Sequence, residues 1–157
     1  MTLLRRCHSL WNKLKFRHKG IWLVYGVVLD KGSAITDEQN HWTAASIALY
    51  NTVRLRFKFT AENISNITVK IGSDTFSTFE SLGNGIYYLE YDKFSAKDFA
   101  TPITVVLCVD GTEVQTIQYC VNAYVRSFAN NYSEENATYA LVQAVYNYGV
   151  AAAAYQG

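Results

Sequence analysis

Three histidines stand in the chain, His8, His18 and His41, and only His41 lies beyond the first forty residues. A Ser-His-Asp or Cys-His site in the body of the protein would have to use it, and no nucleophile-elbow motif accompanies it. No cysteine or carboxylate cluster has metal-ligand spacing around it. Asp37, Asp74, Asp92 and Asp110 are scattered rather than spaced as a calcium loop. Glu80 and Glu90 could be imagined as a pair of glycosidase carboxylates, but two acids in a β-protein are expected by chance, and a solvated surface is the simpler reading. Gly83-Asn84-Gly85 lacks the lysine and the following helix of a phosphate loop, and reads as a tight turn. The residues therefore predict no catalytic set, no metal site and no cofactor; the chain is expected not to be an enzyme.

Aromatic side chains are the more telling feature. Trp42, Phe76, Phe79, Tyr87 and Tyr91 are too many for all to be interior. Exposed rings serve as flat apolar platforms for sugars. On that reading Trp42, Tyr87 and Tyr91 are the candidate ligand-binding residues and a glycan the candidate partner; the competing reading buries each ring and leaves its hydroxyl wet. Arg54, Arg56 and Lys58 alternate with Val53, Leu55, Phe57 and Phe59. The cations could draw an acidic ligand, but a solvated outer face that keeps the sheet from sticking to others is preferred.

The basic charge is concentrated at one end. Arg5, Arg6, Lys13, Lys15, Arg17 and Lys19 precede Gly20 with no acid among them; fourteen Lys and Arg less these six leave eight, against thirteen Asp and Glu. A mildly acidic body has no electrostatic footprint for nucleic acid. Ile21 to Leu29 is an apolar run, too short for a transmembrane span, which needs about 20 residues. Basic then apolar resembles an export signal, with Gly32-Ser33-Ala34 offering small residues for cleavage, or a membrane-surface segment; a non-native or poorly ordered leader, an extra strand or an arbitrary start within a longer protein are the alternatives. Lys31 to Asn40 is polar and reads as a linker. Residues 1–40 are accordingly set apart as leader, apolar segment and linker, and 41–157 as the domain.

Within 41–157 the apolar period is mostly two. Ala44 to Leu49, Val53 to Phe59, Ile67 to Ile71, a weaker Asp74 to Phe79, Ile86 to Tyr91, and Ile103 to Val109 with its return strand read as strands. Asp110-Gly111 between the last two fits a type I′ hairpin, with Val114 opposite Leu107 and Cys108 opposite Glu113. That register keeps Cys108 and Cys120 far apart, so both are expected as free thiols. Phe94 to Phe99 reads as a short helical turn capped by Ser95. After Tyr119 the period becomes about 3.6. Val121, Tyr124, Val125 and Phe128 fall on one stripe, and Asn130-Asn131 stops that helix. Ser133 is then an N-cap for a second helix from about Glu134 to Tyr155, with Ala137, Leu141, Ala144, Val145, Tyr148, Ala152 and Tyr155 on the buried face. Gly149 costs a helix about 1 kcal/mol against alanine and suggests close contact with a bulky neighbour or with backbone. The expected fold is mostly β (α+β): an antiparallel β-sandwich of about seven strands with two C-terminal helices packed on it.

The run Tyr119-Cys120-Val121-Asn122-Ala123-Tyr124-Val125, followed by Leu141-Val142-Gln143-Ala144-Val145-Tyr146-Asn147-Tyr148-Gly149-Val150-Ala151-Ala152, resembles the C-terminal modules of large secreted or surface-attached proteins of gut Clostridia-like bacteria. There a tyrosine-serine-valine strand end leads into a helix, and a leucine-asparagine-tyrosine-glycine-alanine-alanine helix closes the domain. Ala44 to Leu49 and Ile103 to Val109 fit the same pattern, so the resemblance spans Trp42 to Tyr155. Cys120 stands where the pattern has serine. The resemblance implies a non-catalytic accessory or interaction module, extracellular or at the cell surface, with neighbouring domains of a larger protein as partners. A monomer is expected.

Overall fold

The structure is a computed structural model that describes residues 34–155. The basic leader, the apolar run and the first part of the linker lie outside the described residues. Contacts divide the chain into two units: a sheet unit of residues 34–92 and Pro102–Tyr119, and a helical unit of Lys93–Thr101 with residues 120–155.

The sheet unit holds eight strands where about seven were expected. They are β1 (His41–Leu49), β2 (Val53–Thr60), β3 (Ile67–Ile71), β4 (Asp74–Phe76), β5 (Glu80–Gly83), β6 (Ile86–Tyr91), β7 (Ile103–Val109) and β8 (Thr112–Tyr119). The additional strand arises because the Asp74 to Phe79 run ends early, at Phe76, and the chain pairs again from Glu80 in the other sheet. Every pairing is antiparallel, in two sheets of order β1-β2-β6-β5 and β4-β3-β7-β8. Four hairpins thus alternate between the two layers of a β-sandwich. The turns have the chemistry this needs: Asp110 and Gly111 have φ of 50° and 81°, and Asn84 and Gly85 of 55° and 74°. Positive φ at both central residues matches the right-handed twist of the flanking strands.

The core follows the alternation. Leu55, Phe57 and Phe59 of β2 are buried, as are Ile67, Val69 and Ile71 of β3, and Val105, Leu107 and Ile117 of β7 and β8. Phe57 meets Tyr119 edge-on at 6.2 Å, and the Tyr119 hydroxyl donates to the Ala45 carbonyl at 3.3 Å, tying the two layers together. The described end of the expected linker is part of this unit. Thr36 Oγ1 donates to the Val114 carbonyl at 3.2 Å, and Asn40 Oδ1 accepts from the Glu62 N–H at 3.1 Å. The Asp37 carboxylate accepts from Asn40 Nδ2 and the Gln39 and Asn40 N–H groups, which outweighs its slight desolvation and holds its pKa below the usual value.

One register differs from expectation. Cys108 faces Glu113 as predicted, but Leu107 faces Gln115, because Val114 is an extra residue forming a β-bulge. The bulge brings Gln115 into the interior, where only 7% of it is exposed.

In the helical unit, α1 runs Val121–Asn131 and α2 Tyr139–Ala154. The first agrees with its expected bounds. The second starts about five residues late, and Ser133 is not its N-cap. The Asn136 side chain accepts the Thr138 N–H at 2.9 Å, and Asn136 N–H bonds Ser133 O. That local turn competes with the helix and occupies its expected first turn. The buried face of α2 is also different: Tyr139, Val142, Val145, Tyr146 and Gly149 are buried, while Leu141, Tyr148 and Tyr155 are exposed. The helix carries no charge and only Gln143 and Asn147 as a polar stripe, so periodicity gives it little phase. Phe99 supplies one, since a Cβ at Gly149 would lie 2.6 Å from Phe99 Cδ2. The bulky neighbour expected at Gly149 is therefore Phe99. Phe99 itself follows the short 3-10 helix Ala96–Asp98, where Asp98 accepts from Ser95 N–H and Oγ.

Candidate binding face

The two layers of the sandwich sort the side chains of β2 and β6 onto opposite faces. Inward go Leu55, Phe57, Phe59, Tyr87, Leu89 and Tyr91; outward go Arg54, Arg56, Lys58, Tyr88 and Glu90. All three aromatic residues singled out from the sequence lie on the inner side. Trp42 is only 6% exposed, with its indole edge-on to Phe57 and Phe59 at 5.9 and 5.5 Å. It is an interior group and cannot form part of a surface platform. Tyr87 stacks on Phe59 at 6.0 Å, and Tyr91 meets Phe76 edge-on at 6.2 Å; both are half-buried. Strand pairing places Trp42, Phe59 and Tyr87 in one row across β1, β2 and β6, so the structure gathers two of the three on the inner face, Trp42 buried and Tyr87 half-buried. Alternation assigns Tyr87 and Tyr91 to one face; it does not say which face is inside.

The outer face carries the ordered polar array. Arg56 and Glu90 are directly opposite across β2 and β6. Arg56 Nε and Nη2 both donate to Glu90 Oε1, the former at 2.9 Å, and Arg54 Nη1 donates to Glu90 Oε2 at 3.4 Å. Tyr50, in the β1–β2 turn, donates its hydroxyl to Glu90 Oε1 at 3.1 Å and accepts from Arg56 Nη2 at 3.3 Å. The arginines also cover the rings: Arg54 Cζ lies 4.7 Å from the Tyr50 centroid, and Arg56 Cζ 4.6 Å from that of Tyr88. Such cation–π contacts contribute about 0.5–1 kcal/mol at exposed sites. Asp92 extends the array, 3.9 Å from Arg54 Nε.

Burial pushes the Glu90 carboxyl up, but the Arg56 hydrogen bonds, the Tyr50 hydroxyl and the Arg56 charge outweigh it, so its pKa falls below the usual glutamate value. The Arg56 guanidinium is held still more firmly protonated by the same contacts. Glu80 faces Tyr88 on this side of the sheet. His41 Nδ1 lies 3.2 Å from Thr60 Oγ1. Among the described residues no three His, Cys, Asp or Glu side chains group as metal ligands, and no helix is long and apolar enough to cross a membrane. Cys108 and Cys120 are free, as their register predicted, and both are buried.

Tyr50 and the Arg56–Glu90 pair were not found from the sequence. The signal was the opposite charge at outward positions of two strands, Arg54 and Arg56 on one and Glu90 on the other, and it becomes legible only once β2 is known to pair with β6. The fold and this face define the class: an antiparallel β-sandwich with two C-terminal helices and a charged, tyrosine-flanked outer sheet face. No protein family, curated protein or solved structure matches the chain.

Proposed function

We infer that this chain is a non-catalytic interaction module that recognises its partner with the outer face of the β1-β2-β6-β5 sheet. The observation that carries this reading is the Tyr50–Arg54–Arg56–Glu90 array, whose side chains are fixed by mutual hydrogen bonds before any partner arrives. Preorganised polar groups lose less entropy on binding than mobile ones. The resemblance to accessory modules of secreted and surface proteins supports a setting beside other domains of a larger, exported protein. The decisive measurement pairs binding with turnover. The chain should bind a neighbouring domain or surface ligand, lose that binding in Arg56→Ala, and show no hydrolysis of glycoside or ester substrates. Turnover abolished by Glu90→Gln would overturn the reading.

A glycan is the second reading, favoured by one observation. Tyr50 is 58% exposed, and Tyr88 lies on the same outer face, each beside an arginine. A ring to stack on and charged groups to bond hydroxyls are what a sugar site requires. This moves the aromatic platform from Trp42, Tyr87 and Tyr91 to Tyr50 and Tyr88. A glycan array should give signals that vanish in Tyr50→Ala and Tyr88→Ala; silence across mucin and plant glycans rejects sugar and leaves a protein partner.

A further inference from the structure

The solvent side of α2 carries an unusual pattern. Leu141, Ala144, Tyr148, Ala151 and Tyr155 are spaced 3, 4, 3 and 4 residues apart, and all five are exposed. At 3.6 residues per turn they occupy about 80° of arc. That spacing is the a/d seam of a coiled coil. The inner face, where Val142, Tyr146 and Gly149 are buried, is a different one, although one edge of the Tyr148 ring also meets Phe99 at 6.0 Å. The helix contains no charged residue, so its solvent side has none of the cations and carboxylates that keep a surface helix in water.

The order of sizes along the seam reads alike in both directions: large, small, large, small, large, centred on Tyr148. Two such helices laid antiparallel put Tyr148 opposite Tyr148, each Ala144 opposite Ala151, and each Leu141 opposite Tyr155. This is the condition for a twofold interface, in which the same patch on both copies is its own complement. The area is adequate. Leu141, Tyr148 and Tyr155 are 51%, 60% and 90% exposed. With aromatic side chains presenting about 150–250 Å² each, the seam offers about 500 Å² per copy. Two copies then bury at most about 1,000 Å², which is the threshold for a specific interface and fits a weak one. The largest apolar patch on a typical monomer is of this order, about 300–600 Å², and is often functional.

We propose that α2 pairs with α2 of a second copy of this chain, antiparallel about a twofold axis at Tyr148. The pairing is weak, with a dissociation constant in the micromolar to millimolar range set by the small area. It does not depend on what the outer sheet face binds.

Sedimentation of the full chain over a concentration series tests it. Wild type should shift from monomer to dimer. Tyr148→Lys and Leu141→Lys, both at exposed positions, should raise the dissociation constant about tenfold or more, as loss of a central anchor does, with helix content by circular dichroism unchanged. Orientation is read by oxidation in a Cys7→Ser background, where Cys108 and Cys120 are buried. Tyr148→Cys should cross-link to itself, and Leu141→Cys should cross-link to Tyr155→Cys but not to itself. A monomer throughout the series, a dimer indifferent to Tyr148→Lys, or self-cross-linking of Leu141→Cys would each overturn the proposal.

Discussion

Trp42 and Gln115 clasp each other across the two layers of the sandwich. The Trp42 backbone N–H donates to Gln115 Oε1 at 2.7 Å, and the indole Nε1–H donates to the Gln115 carbonyl at 3.4 Å. Each residue sits beside a β-bulge: Thr43 is the extra residue in β1, and Val114 in β8. The β1 and β8 edges are thereby joined by side-chain and main-chain hydrogen bonds where no ladder could form. Sheet edges invite wrong partners, and two bulges locked together are one way to close them.

Removing Gln115 tests this clasp. In Gln115→Ala the buried Trp42 N–H loses its acceptor, and an unsatisfied buried donor costs about 1–3 kcal/mol. Urea unfolding should show that loss. Gln115→Glu keeps an acceptor but buries a carboxylate, and should be less stable than wild type at neutral pH and recover as the acid is protonated.

Glu90 makes a prediction about pH. Its folded pKa lies below its unfolded value, so the unfolded chain binds more protons in the interval between them. The contribution is complete above the ordinary value of 4.5 and is lost as pH falls through the folded pKa. Glu90→Gln should remove that part of the acid-side slope and leave the slope above pH 4.5 unchanged. A slope identical to wild type in acid would mean the Arg56 contact contributes nothing.

Gly149→Ala opposes two effects. Alanine favours a helix by about 1 kcal/mol over glycine. The new Cβ would sit 2.6 Å from Phe99 Cδ2 and 3.0 Å from Phe99 Cβ, and Phe99 is only 3% exposed. Overpacking of this kind costs typically about 1–3 kcal/mol, so the variant should be destabilised. Adding Phe99→Leu should recover part of the loss, giving a non-additive double-mutant cycle.

Cys108 and Cys120 are 0% and 3% exposed, and burial pushes the Cys120 thiol up. Alkylation needs an accessible thiolate, so lack of access should protect both in the native protein, and the raised pKa adds to this at Cys120. Mass mapping should find them modified only after denaturant is added. Rapid labelling of Cys120 under native conditions would show that the start of α1 opens readily.

What the amino-acid order determined by itself was the set of elements. Val53 to Thr60 and Ile67 to Ile71 alternate so cleanly that their burial could be written in advance. Asp110-Gly111 specified its turn because few other pairs accept two positive φ angles, and Gly149 suggested a close neighbour, side chain or backbone, because glycine in mid-helix has a cost. Tertiary structure decided what periodicity leaves undetermined. A period of two separates Tyr87 from Tyr88 but gains a sense of inside only from the opposing sheet. A helix without charges, whose only polar stripe is Gln143 and Asn147, has little preferred rotation of its own, and the contact of Phe99 with Gly149 helps to set it. The bulges at Thr43 and Val114 exist only between paired strands. Trp42 is therefore core rather than platform for a reason that lies on another strand, where the bulge brings Gln115 to meet it.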